Sequence, residues 1–443
     1  MPSLTDRAVD FTLNTDWQDL PPEIQHQAKR CLLDTLGALI AGSQTPVAKI
    51  MRQMAREQFG GNQATIMVSG ERVSAAGAAL ANGFCGNALD IDDGYRLTKG
   101  HPGACALPPI LAAVELTGGC SGPEFLSALV IAYELGTRAG IIRHATYDVY
   151  HASGSWGAIA GAAGAGRLLG LDAQQMLNAM GAAEYHAPIA PMMKGIDTPS
   201  MGKDSIGWGC LAAVLSALMA REGFTGIRPL FDDAPDQAVM RSLGQQWEIL
   251  NLYFKPYATC RWGQPAVAGA LKIVRDHRLT PDQIQRIRVR TFEAATRLPN
   301  APPRDTEEAQ YNLAFPVAAA LLDGEVGPAQ VLPPRLHAPE LHTLLDRVST
   351  EVAPEFEAEF PAKAPAEVVV ETTAGQTYRS GRIEALWEPP ATLPTDNELA
   401  SKFRWLVEPV LGVPQCLDLL SMIWNFEKQS DARALIRLCQ KER

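Results

Sequence analysis

The sequence of 443 residues has no Cys-x-x-Cys pair, although it holds eight cysteines. That absence argues against a structural zinc or iron–sulfur centre. The cysteines are scattered instead, several in apolar runs where a free thiol behaves as a small hydrophobe. There is no cluster of lysine or arginine, and the net charge is -10. Nucleic acid and anionic membrane are therefore poor partners, and an anionic ligand has to be met by single Lys or Arg residues. The first 20 residues contain no signal-peptide core, and no uncharged run reads as a membrane span. The expectation is a cytoplasmic protein. Internal repeats and low-complexity tracts are lacking too. The run GAIAGAAGAG, residues 157–166, imitates a dinucleotide fingerprint but follows no strand, so close helix packing is the better reading.

With 47% hydrophobic and 20% charged residues, the chain can fill a large interior, and its length favours two domains over one core. The first half reads as helix after helix. Between 21 and 42, apolar residues recur at 24, 28, 31, 32, 36 and 39, a helical stripe closed by glycine. Ser121 with Glu124, and Asp172 with Gln175, resemble capping boxes before apolar runs. Residues 64–67 read as a short strand, and Ser74 as the cap of a small-residue helix. The texture changes near residue 265. The pattern predicts helices over 264–277, 311–322 and 332–346, a half-buried strand over 284–291, and a hairpin from 366–371 and 376–383. After EPPATLP, Thr395 caps a return to helix. The fold class is mainly α. A large all-helical domain from residues 1–263 and 392–443 is interrupted by a smaller α+β domain over 264–391.

Chemistry concentrates in residues 89–109, LDIDDGYRLTKGHPGACALPP. Asp90, Asp92 and Asp93 end a helix-like run of small residues. Acids at a helix C-terminus oppose the macrodipole by roughly 0.3–1 kcal/mol each, so three together call for a cation, a donor or a function. A solvated acidic loop is the alternative. His101 follows in a glycine-flanked loop, and a new apolar helix is expected after Pro108 and Pro109. His151 stands at the entrance of the glycine-rich run. Imidazole titrates near neutrality, which suits both rings to proton transfer, with core packing as the alternative for each. Lys203, Lys255 and Arg261 are the candidate anion contacts, with plain solvation as the alternative. Arg261 adds a planar fork for carboxylate. Tyr185 and His186 form a polar pair in apolar surroundings. The acids have the type to ligate Mg²⁺, but no further carboxylate stands out nearby in sequence, so no metal is assigned.

Several long motifs then stand in an order that resembles the MmgE/PrpD family over most of the chain. Among them are GHPGACALPPILAAVE, YHASGSWGAIAGAAGAGRLLGL, EYHAPIAPMMKGIDTPSMGKDSIGWG, FKPYATCRW and AQYNLAFPVAAALLDG. The family includes 2-methylcitrate dehydratase, cis-aconitate decarboxylase and iminodisuccinate epimerase. The resemblance implies an all-helical domain from both chain ends, an α+β lid, a homodimer, no obligatory cofactor and an active site between the domains. It also implies active-site positions at Asp90, His101, His151, Lys203 and Lys255. Gly94 stands where the decarboxylase branch has a threonine, Cys260 where it has a histidine, and Phe315 where it has a functional tyrosine. Tyr311, one helical turn before Phe315, is the candidate to supply a phenol instead.

These reactions share proton movement at carbon next to a carboxylate, which requires stabilising an enolate-like charge while a base acts. The expectation is a small di- or tricarboxylate held by Lys203, Lys255 and Arg261, with Asp93, Tyr185, His186 and Tyr311 as further contacts. His101 and His151 serve as acid and base in either order, and Asp90 orients them. A hydro-lyase resembling 2-methylcitrate dehydratase is the first reading, an epimerase the second and a decarboxylase the third. A silent carboxylate-binding relative is the reading from another class.

Overall fold

The computed structural model describes residues 2–390 and 392–441. Its first half is built from α1 (Leu4–Asn14), α2 (Pro22–Gly42), α3 (Pro46–Gln58), α4 (Ala75–Asn87), α5 (Pro102–Leu116), α6 (Gly122–Thr146), α7 (Gly154–Leu168), α8 (Ala173–His186), α9 (Met192–Asp197) and α10 (Ile206–Arg221). A small antiparallel ribbon pairs β1 (Ala64–Thr65) with β2 (Arg72–Val73). Ser3, Thr45, Ser74, Ser121 and Asp172 each cap the helix that follows, their side-chain oxygens accepting a first-turn N–H.

α6 is long and apolar enough to cross a membrane, and 94% of that stretch is buried inside the fold. A helix apolar on nearly all sides is what an interior position demands. α7 packs between α5, α6 and α10. A Cβ at its Gly161 would lie 2.7 Å from Pro109 and 2.8 Å from Ala213, so the glycine-rich run serves close helix packing. α5 begins at Pro102, not after Pro109 as the sequence predicts, and carries both prolines inside it. Each proline deprives the carbonyl four residues earlier of its N–H donor. Cys210 Sγ supplies a shared replacement, 3.5 Å from Ala104 O and 3.7 Å from Cys105 O.

The second half holds a four-stranded sheet in the order β4-β3-β5-β6, with β3 (Ile284–Thr291), β4 (Val348–Val352), β5 (Glu367–Thr372) and β6 (Thr377–Arg379). β4 runs parallel to β3, while β5 is antiparallel to β3 and to β6. Helices Gln264–His277 and Ala314–Asp323 pack against it. The predicted helix over 332–346 shrinks to Pro339–Leu345, because Pro333, Pro334 and Pro339 interrupt the pattern. β4 escapes the sequence reading because it is short, its three central residues are polar and it is largely exposed. Helix Asp396–Leu411 returns the chain end to α2, with Phe403 3.1 Å from where a Cβ on Gly37 would lie.

Candidate active site

α4 ends at Asn87, and Asp90 then takes a left-handed conformation, φ 51°, that turns the acids into the protein. Asp90, Asp92 and Asp93 are each at most 1% exposed. Such a backbone is uncommon outside glycine, and it persists where the surroundings over-determine it. Here the donors are lysines and an amide. Lys203 Nζ donates to Asn87 O at 2.6 Å, and Gln310 Nε2 donates to Ala88 O at 3.0 Å. Lys255 Nζ donates to Asp90 Oδ1 at 2.5 Å and to Asp90 O at 3.2 Å. Lys402 Nζ donates to Ile91 O and to Asp34 Oδ1, both at 2.6 Å. These cations compensate the acids that the helix terminus disfavours.

The loop after Asp93 delivers His101 to the start of α5, and α7 and α10 start beside it, at Ser153 and Ser205. The three starts are tied together. Ser153 Oγ accepts from His101 N at 3.2 Å and donates to Asp204 Oδ1 at 2.8 Å. Gly154 N donates to Asp204 O at 2.9 Å. From the second half of the chain, the Tyr311 hydroxyl donates to Asp204 Oδ2 at 3.2 Å. Asp90, His101, Asp204, Lys255 and Arg261 are among the charged residues that line a cavity of about 350 Å³.

His101 Nδ1 lies 2.9 Å from Asp93 O and 3.1 Å from Asp92 Oδ2. A carbonyl only accepts, so Nδ1 carries a proton and donates. Nε2 is then the free edge, 3.4 Å from Asp90 Oδ1 and 4.0 Å from Asp204 Oδ2. Burial works against a charged ring, but the Asp92 carboxylate outweighs it, aided by Asp204 and opposed by Lys255, and the pKa is pushed up to about 9. Burial also works against ionised Asp92, yet the His101 charge holds its carboxyl below the usual range. At neutral pH His101 is therefore an imidazolium at the cavity wall, a proton donor at rest. Behind it, Asp93 accepts from the Tyr133 hydroxyl at 2.6 Å and from Gly103 N at 2.9 Å. Burial and the Asp34 charge push Asp93 up to about 7.

Arg261 Nη2 donates to both oxygens of Glu388, at 2.6 and 2.8 Å, and the guanidinium lies 5.5 Å over the Tyr253 ring. Nη2 is thus committed to Glu388, while Nε is buried with no hydrogen-bond partner among the described residues. Arg96 Nη1 donates to Ala362 O at 2.6 Å, and Lys99 Nζ lies 5.0 Å over the Tyr150 ring. Both line the cavity, and among the described residues neither has a carboxylate partner within salt-bridge distance.

Residues 6–249 match the MmgE/PrpD N-terminal domain, and residues 257–428 match the MmgE/PrpD C-terminal domain. The chain belongs to the MmgE/PrpD family. Cis-aconitate decarboxylase-like protein oryM of Aspergillus oryzae is 24% identical, over 96% of this chain and 94% of that protein. Cis-aconitate decarboxylase of Homo sapiens is 24% identical over 95% of this chain and 91% of its own length. Cis-aconitate decarboxylase of Aspergillus terreus is 21% identical over 98% and 95%.

In this MmgE/PrpD chain, five of the residues singled out from sequence line the cavity: Asp90, His101, Lys255, Arg261 and Tyr311. His151 does not. It bridges to Pro191 in extended backbone, where neighbouring side chains point to opposite faces, and Tyr150 is the one that reaches the cavity. The His151 ring stacks on His144 with centroids 4.3 Å apart, Nδ1 lies 2.6 Å from Ser155 Oγ, and Nε2 has no partner among the described residues. Burial, then Arg143, holds its pKa down to about 4, so it rests neutral. The predicted pair of histidines flanking one ligand is not assembled.

Lys203 is turned onto the Asn87 carbonyl at the end of α4 and onto Gln310 Oε1, and Asp93 lies behind His101, so both stand outside the MmgE/PrpD cavity lining. Tyr185 and His186 end α8 at the surface, with Tyr185 71% exposed, because the buried face of that helix carries Ala182 and Ala183 instead. The sequence reading missed Asp204, Tyr150 and Glu388, and gave Asp92 no role beyond the acidic run. An acid just before a helix reads as a cap, which hides Asp204. Nothing local links Arg261 to Glu388, 127 residues away. Of the three departures, Cys260 lines the cavity, its thiol pushed up to about 12 by burial and Asp90. Phe315 is buried in the core outside the lining, and a Cβ at Gly94 would collide with the Tyr253 ring. Asp90, Asp92 and His101 present donor atoms within 4.8 Å of one another, the spacing of a cation site. The Lys255 ammonium and the protonated His101 already supply positive charge there.

Proposed function

We propose that this MmgE/PrpD protein is a lyase that acts on a small acid with more than one carboxylate and asks for no cofactor. The observation that carries the reading is His101, held protonated by Asp92 with its Nε2 edge at the cavity. A group that rests as an acid suits a reaction that begins by making a carbanion. In decarboxylation the C–C bond to one carboxylate breaks, CO₂ leaves, and the electron pair stays on carbon. His101 Nε2–H then delivers the proton to that carbon, and solvent restores it. Lys255, Arg96 and Lys99 attract the carboxylates and balance the developing charge. The long relatives named as cis-aconitate decarboxylases support this order of preference, which raises decarboxylation above the hydro-lyase favoured by sequence.

Asp204 favours the second reading. Its carboxylate stands 4.0 Å from His101 Nε2, so a base and an acid share one wall. In elimination of water, Asp204 takes the proton next to a carboxylate and His101 protonates the departing hydroxyl. The α+β segment as a lid over the cavity, a homodimer and a cytoplasmic location also belong to the proposal. Proton NMR in D₂O with cis-aconitate-like and citrate-like acids tests it. Deuterium at carbon with CO₂ release supports decarboxylation, and deuterium with water loss supports the hydro-lyase. No exchange despite binding leaves the silent carboxylate binder.

A further inference from the structure

The cavity wall consists of two chemically distinct clusters. The ionic one is knitted together by its own contacts: Lys255 with Asp90, His101 with Asp92, and Arg261 with Glu388. The other is apolar. Trp262 and Phe360 meet edge to face at 6.1 Å and 83°, and both pack on Phe292, at 5.9 and 4.3 Å between centroids. Met192, Met193 and Ile196 of α9 complete this part of the lining. Interlocked aromatic rings hold a fixed surface, and the flexible thioethers of methionine adapt to irregular apolar shapes.

A compact tricarboxylate fits this wall poorly. A carboxylate pressed against Phe360 or Ile196 loses its water and gains no donor in exchange. Lys255, His101 and Arg261 each have a carboxylate beside them, and among the described residues of the lining only the cations Arg96 and Lys99 stand without one. The volume of about 350 Å³ falls in the range of pockets, roughly 300–1,000 Å³, that enclose drug-sized ligands.

We infer that the substrate is an acid with no more than two carboxylates that carries an alkyl or aryl substituent of several carbons. The carboxylates face Arg96, Lys99 and His101, and the substituent lies against Trp262, Phe360 and the α9 side chains. This rests on the lyase reading above for its chemistry, and on the lining alone for the substituent.

The test is calorimetric binding to the full-length protein of a series of unsaturated diacids: citraconate, ethylmaleate, butylmaleate and benzylmaleate, with cis-aconitate as the tricarboxylate reference. Each added methylene is expected to tighten binding about three- to fourfold until the cavity is filled. Butylmaleate is expected to bind more tightly than cis-aconitate, and Met193→Asp to erase that advantage. Affinity that stays flat or falls with chain length overturns the inference, and so does cis-aconitate binding more tightly than the whole series. The same samples are followed by proton NMR in D₂O. Turnover of cis-aconitate without a chain-length gain sinks the substituent and leaves the lyase standing. A chain-length gain without exchange or CO₂ release supports the substituent and sinks the lyase. Binding of none of these acids overturns both.

Discussion

The imidazole of His101 and the carboxylate of Asp92 approach to 3.1 Å with both side chains buried, and this contact sets the charge on the ring that faces the cavity. The folded pKa of His101, about 9, lies above the ordinary value of about 6.5, so the fold favours the charged form. Stability gained this way is complete below about pH 6.5 and is lost as pH rises through 9.

Turnover that uses His101 as the acid is expected to fall as pH passes about 9. Asp92→Asn removes the carboxylate that holds the proton, and the alkaline limb moves to lower pH. A pH profile of kcat/KM for both proteins decides this. An unmoved limb rules out control by Asp92.

Lys255 and Asp90 form a buried pair at 2.5 Å. Lys255→Met takes its shortest ion-pair partner from a buried carboxylate and leaves it only the longer contact to His101, so stability is expected to fall by roughly 3–5 kcal/mol. Adding Asp90→Asn removes that charge, so the double variant is expected to be more stable than Lys255→Met alone. Urea midpoints give both numbers; a double variant no better than the single one refutes the coupling.

Burial and Asp34 push Asp93 up to about 7, against an ordinary value near 4. The unfolded chain therefore releases this proton first, and the native protein loses stability as pH rises from about 4 to 7. Asp93→Asn lacks this penalty. The difference in Tm, variant minus native, is expected to climb over that window, and a flat difference contradicts the assignment.

Lys203 bonds Asn87 O and Gln310 Oε1 and does not line the cavity. Lys203→Met is expected to cost roughly 1.5–3 kcal/mol of stability, the worth of charge-assisted hydrogen bonds. It lowers kcat by loosening the Asp90 loop, with KM changing by less than about twofold. A large rise in KM with unchanged kcat and stability instead makes Lys203 a direct anion contact.

Glu388→Gln removes the negative charge that now pairs with Arg261 Nη2. Carboxylate ligands are expected to bind severalfold more tightly, most clearly at low salt where charge is least screened. Isothermal titration of citraconate at two salt concentrations checks the sign.

Sequence by itself determined most of the helices, strand β3 and the motif segments that reach the cavity. Apolar periodicity and caps are local, so Gln264–His277 and Ile284–Thr291 appear where the pattern places them. Asp90, His101 and Lys255 were legible because charge in small-residue, apolar runs needs a reason. Tertiary structure decided what those side chains meet. The start of α5 depends on Cys210, about a hundred residues downstream, to serve the carbonyls its prolines expose. Lys203 faces a helix end and Asp204 the cavity, although they are adjacent in the chain. Arg261 is occupied by a carboxylate 127 residues away, and His151 is turned aside by the alternation of one extended segment. Composition and spacing report which groups a segment carries. Side-chain direction and long-range charge pairing, fixed only when the helices pack, determine which of them face the cavity and in which protonation state.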